Sequence, residues 1–447
     1  MTGTIRSNST SLADRRRASL ERQYGSGRPR ASASGEPRRL PIRPMLRRTI
    51  ATDEARPERR KRRAAPGSIA DSGATRPARG MLGPPPGTFY AIAAVVGIFV
   101  ILGLVMVLSA SAIVEANAGN SPYGVFGRQA MWAMVGLVGL VFAAVVPYTV
   151  WKRFAIPLGL LGVAVMALPF VPSIGAEVNG ARAWIRVGGF SMQPSEFLKL
   201  VVVIAAADLL TRRSSVMGDN RQALIPAAVL AGAAALMSIL QGDLGSAIVL
   251  GAIVLSIAWI AGAPLMPLAG VTLIAAISAV GFIVSSSRRI DRFTAFLDVE
   301  GHKTHESFQV YQSFVSIANG GLTGSGIGGS RAKLGYLPLP HSDFIFAVIV
   351  DELGMIGTSV VIGGFLVLVG FGVQASLAAP DRFGMLLAGG ISAWFGVQAI
   401  INLGGVTGVL PVTGLTLPFF SSGGSSLFVS MFAAGLLLSV ARRAAHR

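Results

Sequence analysis

Between Phe296 and Gln309 the chain reads FLDVEGHKTHESFQ, gathering Asp298, Glu300, His302, Lys303, His305 and Glu306 into fourteen positions. Imidazoles and carboxylates at that density suit proton transfer. An ordinary imidazole ionises near pH 6.5 and so accepts a proton at neutral pH. Just upstream, Arg288, Arg289 and Arg292 supply cationic groups of the kind that hold anions.

Further polar residues interrupt apolar surroundings. QPSEFLKL sets Glu196 and Lys199 three apart, a spacing that puts both on one helical face where they can pair. Such a pair reads either as a buried structural ion pair or as the lining of a cavity. LQGDLGS places Asp243 at a glycine-flanked break, and broken helices at membrane depth occur where a cavity is lined. HSDFIFAVIVDELG carries Asp343, Asp351 and Glu352, with Asp351 and Glu352 on different faces. LPVTGLTLPFFSSGGSSL, which includes Ser425, is a Pro/Gly/Ser break whose hydroxyls suit a polar headgroup.

The elements that must position these groups belong in a bilayer. Of 447 residues 52% are hydrophobic and only 13% charged, against about 25% charged in soluble domains. The mean hydropathy is +0.61. Apolar runs of about 20 residues, the length that crosses the hydrocarbon core as helix, recur from Phe89 onward. Ten spans are predicted, near 89–112, 129–147, 154–172, 194–211, 223–241, 244–263, 265–285, 343–371, 383–404 and 418–440. The fold class is therefore an all-α polytopic membrane protein.

Of the net charge of +18, a surplus of 13 sits in the first 80 residues, where 20 Lys and Arg face 7 Asp and Glu. Residues 1–87, rich in Arg, Ser, Ala, Gly and Pro, are expected to form a disordered basic tail. No signal peptide is expected, and no nucleic-acid partner, since no aromatic residues interleave with the arginines to stack bases. Lys152, Arg153, Arg212, Arg213, Arg221 and the terminal ARRAAHR, which ends in the short tail 444–447, share one side with the basic tail. The positive-inside rule makes that side cytoplasmic, with both termini inside and the loop of residues 286–342 outside. Cys is absent, which excludes thiol nucleophiles and Cys-based zinc sites, and the four histidines are too scattered for an obvious metal cluster. GSGIGG at Gly324–Gly329 lacks the strand–turn–helix setting of a nucleotide cradle, and no Walker lysine follows it. The polar groups gather near the outer boundary, which suits an amphiphilic substrate, apolar in the bilayer and anionic outside.

Five stretches in order, WIRVGGFSMQPSEFLKL, QGDLGS, FQVYQSFVSIANGGLTGSGIG, LPLPHSDFIFAVIVDELG and LPVTGLTLPFFSSGGSSL, resemble the SEDS family (shape, elongation, division, sporulation) of FtsW/RodA type. The likeness runs from about Phe89 to Arg443 and is nearer the division branch. It implies a ten-helix membrane domain over residues 88–443 and peptidoglycan glycosyltransfer, in which lipid II (undecaprenyl-pyrophosphate-linked) is polymerised into glycan strands. It also implies a class B penicillin-binding transpeptidase and division proteins as partners, at the plasma membrane of the division septum. The reaction needs a base for an acceptor hydroxyl, and cationic groups or a divalent cation for the departing pyrophosphate. Arg288 and Arg292 suit the second task. Glu196, Lys199, Asp243, Asp343, Glu352 and Ser425 are the expected substrate contacts.

The family loop usually reads FLDPxxDPxxxGYQ, its second aspartate taken as catalytic. That position is His302 here, and the neighbouring prolines and glycine are missing too. Three readings stay open: His302 is the base; Asp298, Glu300 or Glu306 is the base; or the chain is a catalytically inactive scaffold of the division machinery. A lipid II transporter (flippase) is a further alternative.

Overall fold

Each of the ten apolar runs becomes a helix, but the helices differ in how they meet their surroundings. The computed structural model describes residues 86–444 except 179, 189, 218–219, 303–306 and 335–336, with backbone only at 190, 220 and 288. The expected disordered tail, apart from its last two residues, lies outside the described residues, as do 445–447.

In chain order the helices are α1 (Gly87–Asn117), α2 (Gly124–Val145), α3 (Tyr148–Arg153), α4 (Ala155–Ala167), α5 (Pro194–Arg212), α6 (Ile225–Leu240), α7 (Leu244–Ile260), α8 (Leu265–Val284), α9 (Ser287–Leu297), α10 (Phe308–Gly320), α11 (Ile345–Leu377), α12 (Arg382–Val406) and α13 (Gly424–Arg443). Seven of them, α1, α2, α6, α8, α11, α12 and α13, are long and apolar enough to cross a membrane by themselves, α6 when counted from Arg221. The segment Ala155–Phe170 and helix α7 are apolar but shorter. Helix α5 has the length, yet carries Glu196, Lys199, Asp208 and Arg212. Its charges pair within the helix, Lys199 with Glu196 and Arg212 with Asp208, each at 2.8 Å. Pairing is what makes charge tolerable at that depth.

Helices α12 and α13 form the centre: 67% and 83% of their apolar windows are buried, against 6% for α8. Close approach there depends on small residues, as expected where lipid and protein are equally apolar. A Cβ on Gly435 of α13 would lie 2.3 Å from the Leu140 carbonyl oxygen of α2, and one on Gly136 would lie 2.6 Å from the Met431 sulfur.

One element was not anticipated. Between α4 and α5 the chain forms a three-stranded antiparallel sheet, β1 (Gly175–Val178), β2 (Ala181–Val187) and β3 (Phe190–Met192). Residues 181–187, ARAWIRV, carry a β-branched and aromatic pattern with Ala183 and Ile185 buried. The sheet delivers Gln193 and Pro194 to the start of α5, and Arg182 N–H donates to the Gln241 carbonyl at the α6–α7 break (2.9 Å).

Helix α11 is broken at Gly354, whose φ is +63°. The break is closed from outside the helix. The N–H groups of Ser325 and Gly326 donate to the carbonyls of Asp351 and Glu352 (2.9 and 3.0 Å), while those of Met355 and Ile356 donate to Gly321 and Leu322 (3.0 and 3.3 Å). This clasp is the use of the GSGIGG stretch. A Cβ on Gly324 would fall 2.2 Å from the Glu352 carbonyl oxygen.

Candidate functional site

Three breaks meet at one end of the bundle: the start of α5, the α6–α7 turn and the segment 411–426 before α13. Asp243 ties the first two. Its Oδ1 accepts from the N–H of Ser246 at 2.9 Å, capping α7, and its Oδ2 accepts from Gln193 Nε2 (2.9 Å) and Ser195 Oγ (3.2 Å). Ser425 ties in the third, its Oγ accepting from the N–H of Gln193 at 3.3 Å.

Below this junction, Glu196 and Lys199 form the ion pair that their spacing suggests. Lys199 Nζ donates to Glu196 Oε1 at 2.8 Å and to Gln398 Oε1 at 2.9 Å, and it lies 5.6 Å from the Trp394 ring centre. Trp394 Nε1 donates to the same Gln398 oxygen (2.7 Å), and Gln398 Nε2 donates to the Thr416 carbonyl (2.8 Å). Thr416 and Ser426 share a hydroxyl hydrogen bond of 2.8 Å. The other Glu196 oxygen, Oε2, is buried and has no hydrogen-bond partner among the described residues. Gln398 and Trp394 carried no signal in the sequence, because polar residues inside a span announce themselves only through what they touch, whereas Thr416 lies in the hydroxyl-bearing break singled out there.

Glu352 belongs to a different cluster. Ser109 Oγ donates to both of its oxygens (2.7 and 2.8 Å), and Lys333 Nζ lies 2.8 Å from Oε1. Its neighbour Asp351 accepts from Ser330 Oγ at 2.5 Å. The carboxylate expected to contact substrate thus spends both oxygens on internal partners. Lys333, a loop lysine in sequence, is buried.

Asp343 sits just before α11 at a small, partly open pocket, with room for about one water, that Asn402 and Thr413 also line. Ser342 Oγ donates to its Oδ1 (2.6 Å), and Asn402 Nδ2 donates to its carbonyl (2.8 Å). Burial pushes the Asp343 carboxyl above its ordinary pKa. His341, two residues earlier, has a buried Nδ1 with no hydrogen-bond partner among the described residues. Burial and, less strongly, Arg128 lower its pKa, opposed by Glu115. The N–H of Ser422 donates to the His341 carbonyl (2.8 Å), so the serine-rich segment touches His341 at one end and Gln193 at the other.

The opening loop stands apart. Asp298 Oδ1 accepts from the N–H of Gly301 (2.9 Å), and His302 Nδ1 lies 3.0 Å from the Asp298 carbonyl. Asp298 and Glu300 are exposed and His302 half-buried. Arg292 is exposed on α9, the Arg288 side chain is not described, and Lys303, His305 and Glu306 lie outside the described residues. Among the described residues, no hydrogen bond or ion pair joins this turn to Asp243, Asp343 or the Glu196–Lys199 pair. Nor do three or more His, Asp or Glu side chains converge as a protein-built cation site would require.

Known proteins share this arrangement of elements. The family model described as cell cycle protein, of FtsW, RodA and SpoVE type, matches residues 90–446. A probable peptidoglycan glycosyltransferase FtsW of Geobacter sp. (strain M18) is 37% identical over 341 residues, 76% of this chain and 93% of the relative. Stage V sporulation protein E of Bacillus subtilis is also 37% identical, with the same coverage of each chain. A probable FtsW of Mycobacterium tuberculosis is 36% identical over 85% of this chain and 73% of its own length. Among solved structures, a chain from a study of polymerization and crosslinking by a peptidoglycan synthase complex superposes with a TM-score of 0.66 at 27% identity. The RodA of Thermus thermophilus superposes with a TM-score of 0.57 at 26% identity. Both matches cover 80% of this chain and 98% of the other.

Proposed function

The chain belongs to the FtsW, RodA and SpoVE family of cell cycle proteins, and from that premise we propose that it is a peptidoglycan glycosyltransferase that polymerises lipid II. It is a multi-pass membrane protein. The observation that carries the reading is the junction of three helix breaks around Asp243, Gln193 and Ser425, with the Glu196–Lys199 pair beneath it. A junction of polar side chains and freed backbone at the end of an apolar bundle suits a substrate with a lipid tail and a polar, anionic head.

In the reaction an acceptor sugar hydroxyl attacks the anomeric carbon that carries the lipid pyrophosphate. The new C–O bond forms as the bond to pyrophosphate breaks, and the leaving group departs with that electron pair. The hydroxyl proton passes to a base on the 298–302 turn, which we assign to His302 with Asp298 and Glu300 as the alternatives. Arg288 and Arg292 on the adjoining helix neutralise the pyrophosphate. Asp343 and Ser425 contact the head of the substrate, while Asp243 and Glu352, each with both oxygens engaged, hold the junction and the segment around Lys333 in place.

The resemblance to a chain of a peptidoglycan synthase complex supports a crosslinking partner, which we assign as a class B penicillin-binding transpeptidase acting with division proteins at the septum. We assign both termini to the cytoplasm on the positive-inside rule. The test is glycan synthesis from lipid II by the purified protein with its transpeptidase. Polymer that disappears when Asp298→Asn, Glu300→Gln and His302→Ala are combined in a protein of unchanged unfolding midpoint supports the reading; no polymer beside a partner shown to be active removes it.

One observation favours a second reading. His302 stands where the family pattern has an aspartate, and a chain without a working base is a scaffold that assembles partners.

A further inference from the structure

Helix α9, eleven residues long, begins where α8 ends. None of the twenty residues of α8 is buried, and Leu273, Ile274, Ile277 and Val280 each expose about 60% of their surface or more. Such a helix is bathed in lipid along its length, so α9, starting three residues after Val284, starts at the membrane boundary. The corner is fixed by Arg289. Its guanidinium carbon lies 3.6 Å from the Phe282 ring centre, and Nη1 donates to the Phe282 carbonyl and to Ser285 Oγ, both at 2.9 Å.

Along α9 the apolar residues Ile290, Phe293 and Leu297 recur at i, i+3 and i+7, which places them on one stripe. They are exposed by 38%, 40% and 70%. The side that meets protein is another one: Ala295 is buried, and its carbonyl accepts from Ser307 Oγ at 2.6 Å. Asp291 and Arg292 are exposed away from the apolar stripe, whereas Thr294, four residues after Ile290, borders it. The helix carries three arginines against one aspartate.

We propose that α9 is an interfacial helix, seated in the leaflet bordering the 286–342 loop, with Ile290, Phe293 and Leu297 among acyl chains and Arg292 among anionic lipid headgroups. Lipid is the occupant because the stripe continues the lipid-bathed surface of α8 at the boundary. Three side chains are also too little surface for a stable protein interface, which buries on the order of 800 Å² per partner. The positive balance selects anionic headgroups. The seating also sets the height of the turn that begins at Asp298, holding His302 at headgroup level, where a lipid-linked pyrophosphate lies. That last consequence rests on the proposed function; the seating does not.

The chain has no cysteine, so single labels need no background substitutions. Ile290→Cys, Asp291→Cys, Phe293→Cys and Leu297→Cys would each carry a nitroxide in the full-length protein. The protein is placed in nanodiscs of phosphatidylglycerol and phosphatidylcholine, and accessibility to oxygen is compared with accessibility to a nickel chelate. The expected result is high oxygen and low chelate access at 290, 293 and 297, with the reverse at 291. Replacing phosphatidylglycerol by phosphatidylcholine moves the three apolar labels outward. Chelate access at all four positions overturns the proposal, as does shielding of 290, 293 and 297 from both reagents, the signature of a protein cover. Depths that ignore phosphatidylglycerol overturn the choice of anionic headgroups. Because the readout is depth and not polymer, its failure is distinct from failure of the glycosyltransferase reading.

Discussion

Lys333 Nζ lies 2.8 Å from Glu352 Oε1, and both side chains are almost wholly withdrawn from solvent. The pair joins the outer segment to α11 beside the Gly354 break, with Ser109 of α1 as the third member. Losing one member of a buried pair strands the other charge, at a cost of about 3–5 kcal/mol, whereas replacing both by apolar residues is often nearly neutral. Lys333→Met alone should therefore lower the thermal unfolding midpoint of the purified protein clearly, and Lys333→Met with Glu352→Leu should recover most of that loss. A double variant weaker than the single one would show that the pair is not the anchor.

The clasp at the α11 break makes a separate prediction. Gly324 has φ +78°, and a Cβ there would lie 2.2 Å from the Glu352 carbonyl oxygen, a contact with backbone that cannot swing aside. Gly324→Ala should reduce the yield of folded protein in gel filtration, while Gly87→Ala, with nothing within 4 Å of the added carbon, should behave as wild type.

These two features show what the sequence reveals and what it hides. Ten apolar runs were legible because lipid demands long, nearly charge-free segments, and Glu196 and Lys199 were legible as a pair because helical spacing alone brings them together. Lys333 was not: a lysine in a polar loop reads as solvated, and only the fold carries it against Glu352, 19 positions along the chain. The glycines of the clasp announced special backbone geometry without naming the broken helix they repair. The β1–β3 sheet was obscured by its short strands, the longest of seven residues. Asp243 was recognised at its break, but its partners Gln193 and Ser195 lie about 50 positions away.

His341 gives a pH dependence with a defined sign. Burial depresses its pKa below 6.5, with Arg128 adding to the effect and Glu115 opposing it. Above the ordinary value both folded and unfolded states hold a neutral ring, so the group costs nothing. As pH falls below about 6.5 the unfolded chain takes up the proton first, and the folded state loses stability until its own lower pKa is passed. Thermal unfolding of wild type should fall from pH 7 toward pH 5 more steeply than that of His341→Gln. Parallel curves would mean that the ring is protonated as easily in the fold as out of it.

The decisive prediction concerns His302. If it takes the acceptor proton, His302→Ala should lower polymerisation from lipid II by about 10²–10⁴-fold, the usual contribution of a positioned general base, while unfolding stays unchanged because the Nδ1 contact of the ring is local to its own turn. His302→Asp, which puts a carboxylate base at the same position, should restore polymer. Full activity in His302→Ala would assign the proton to another group, and Asp298→Asn and Glu300→Gln then divide the remaining candidates. A wild type that makes no polymer, paired with an active His302→Asp, would mean a family body whose loop no longer does the chemistry, and it would favour the scaffold reading over the polymerase.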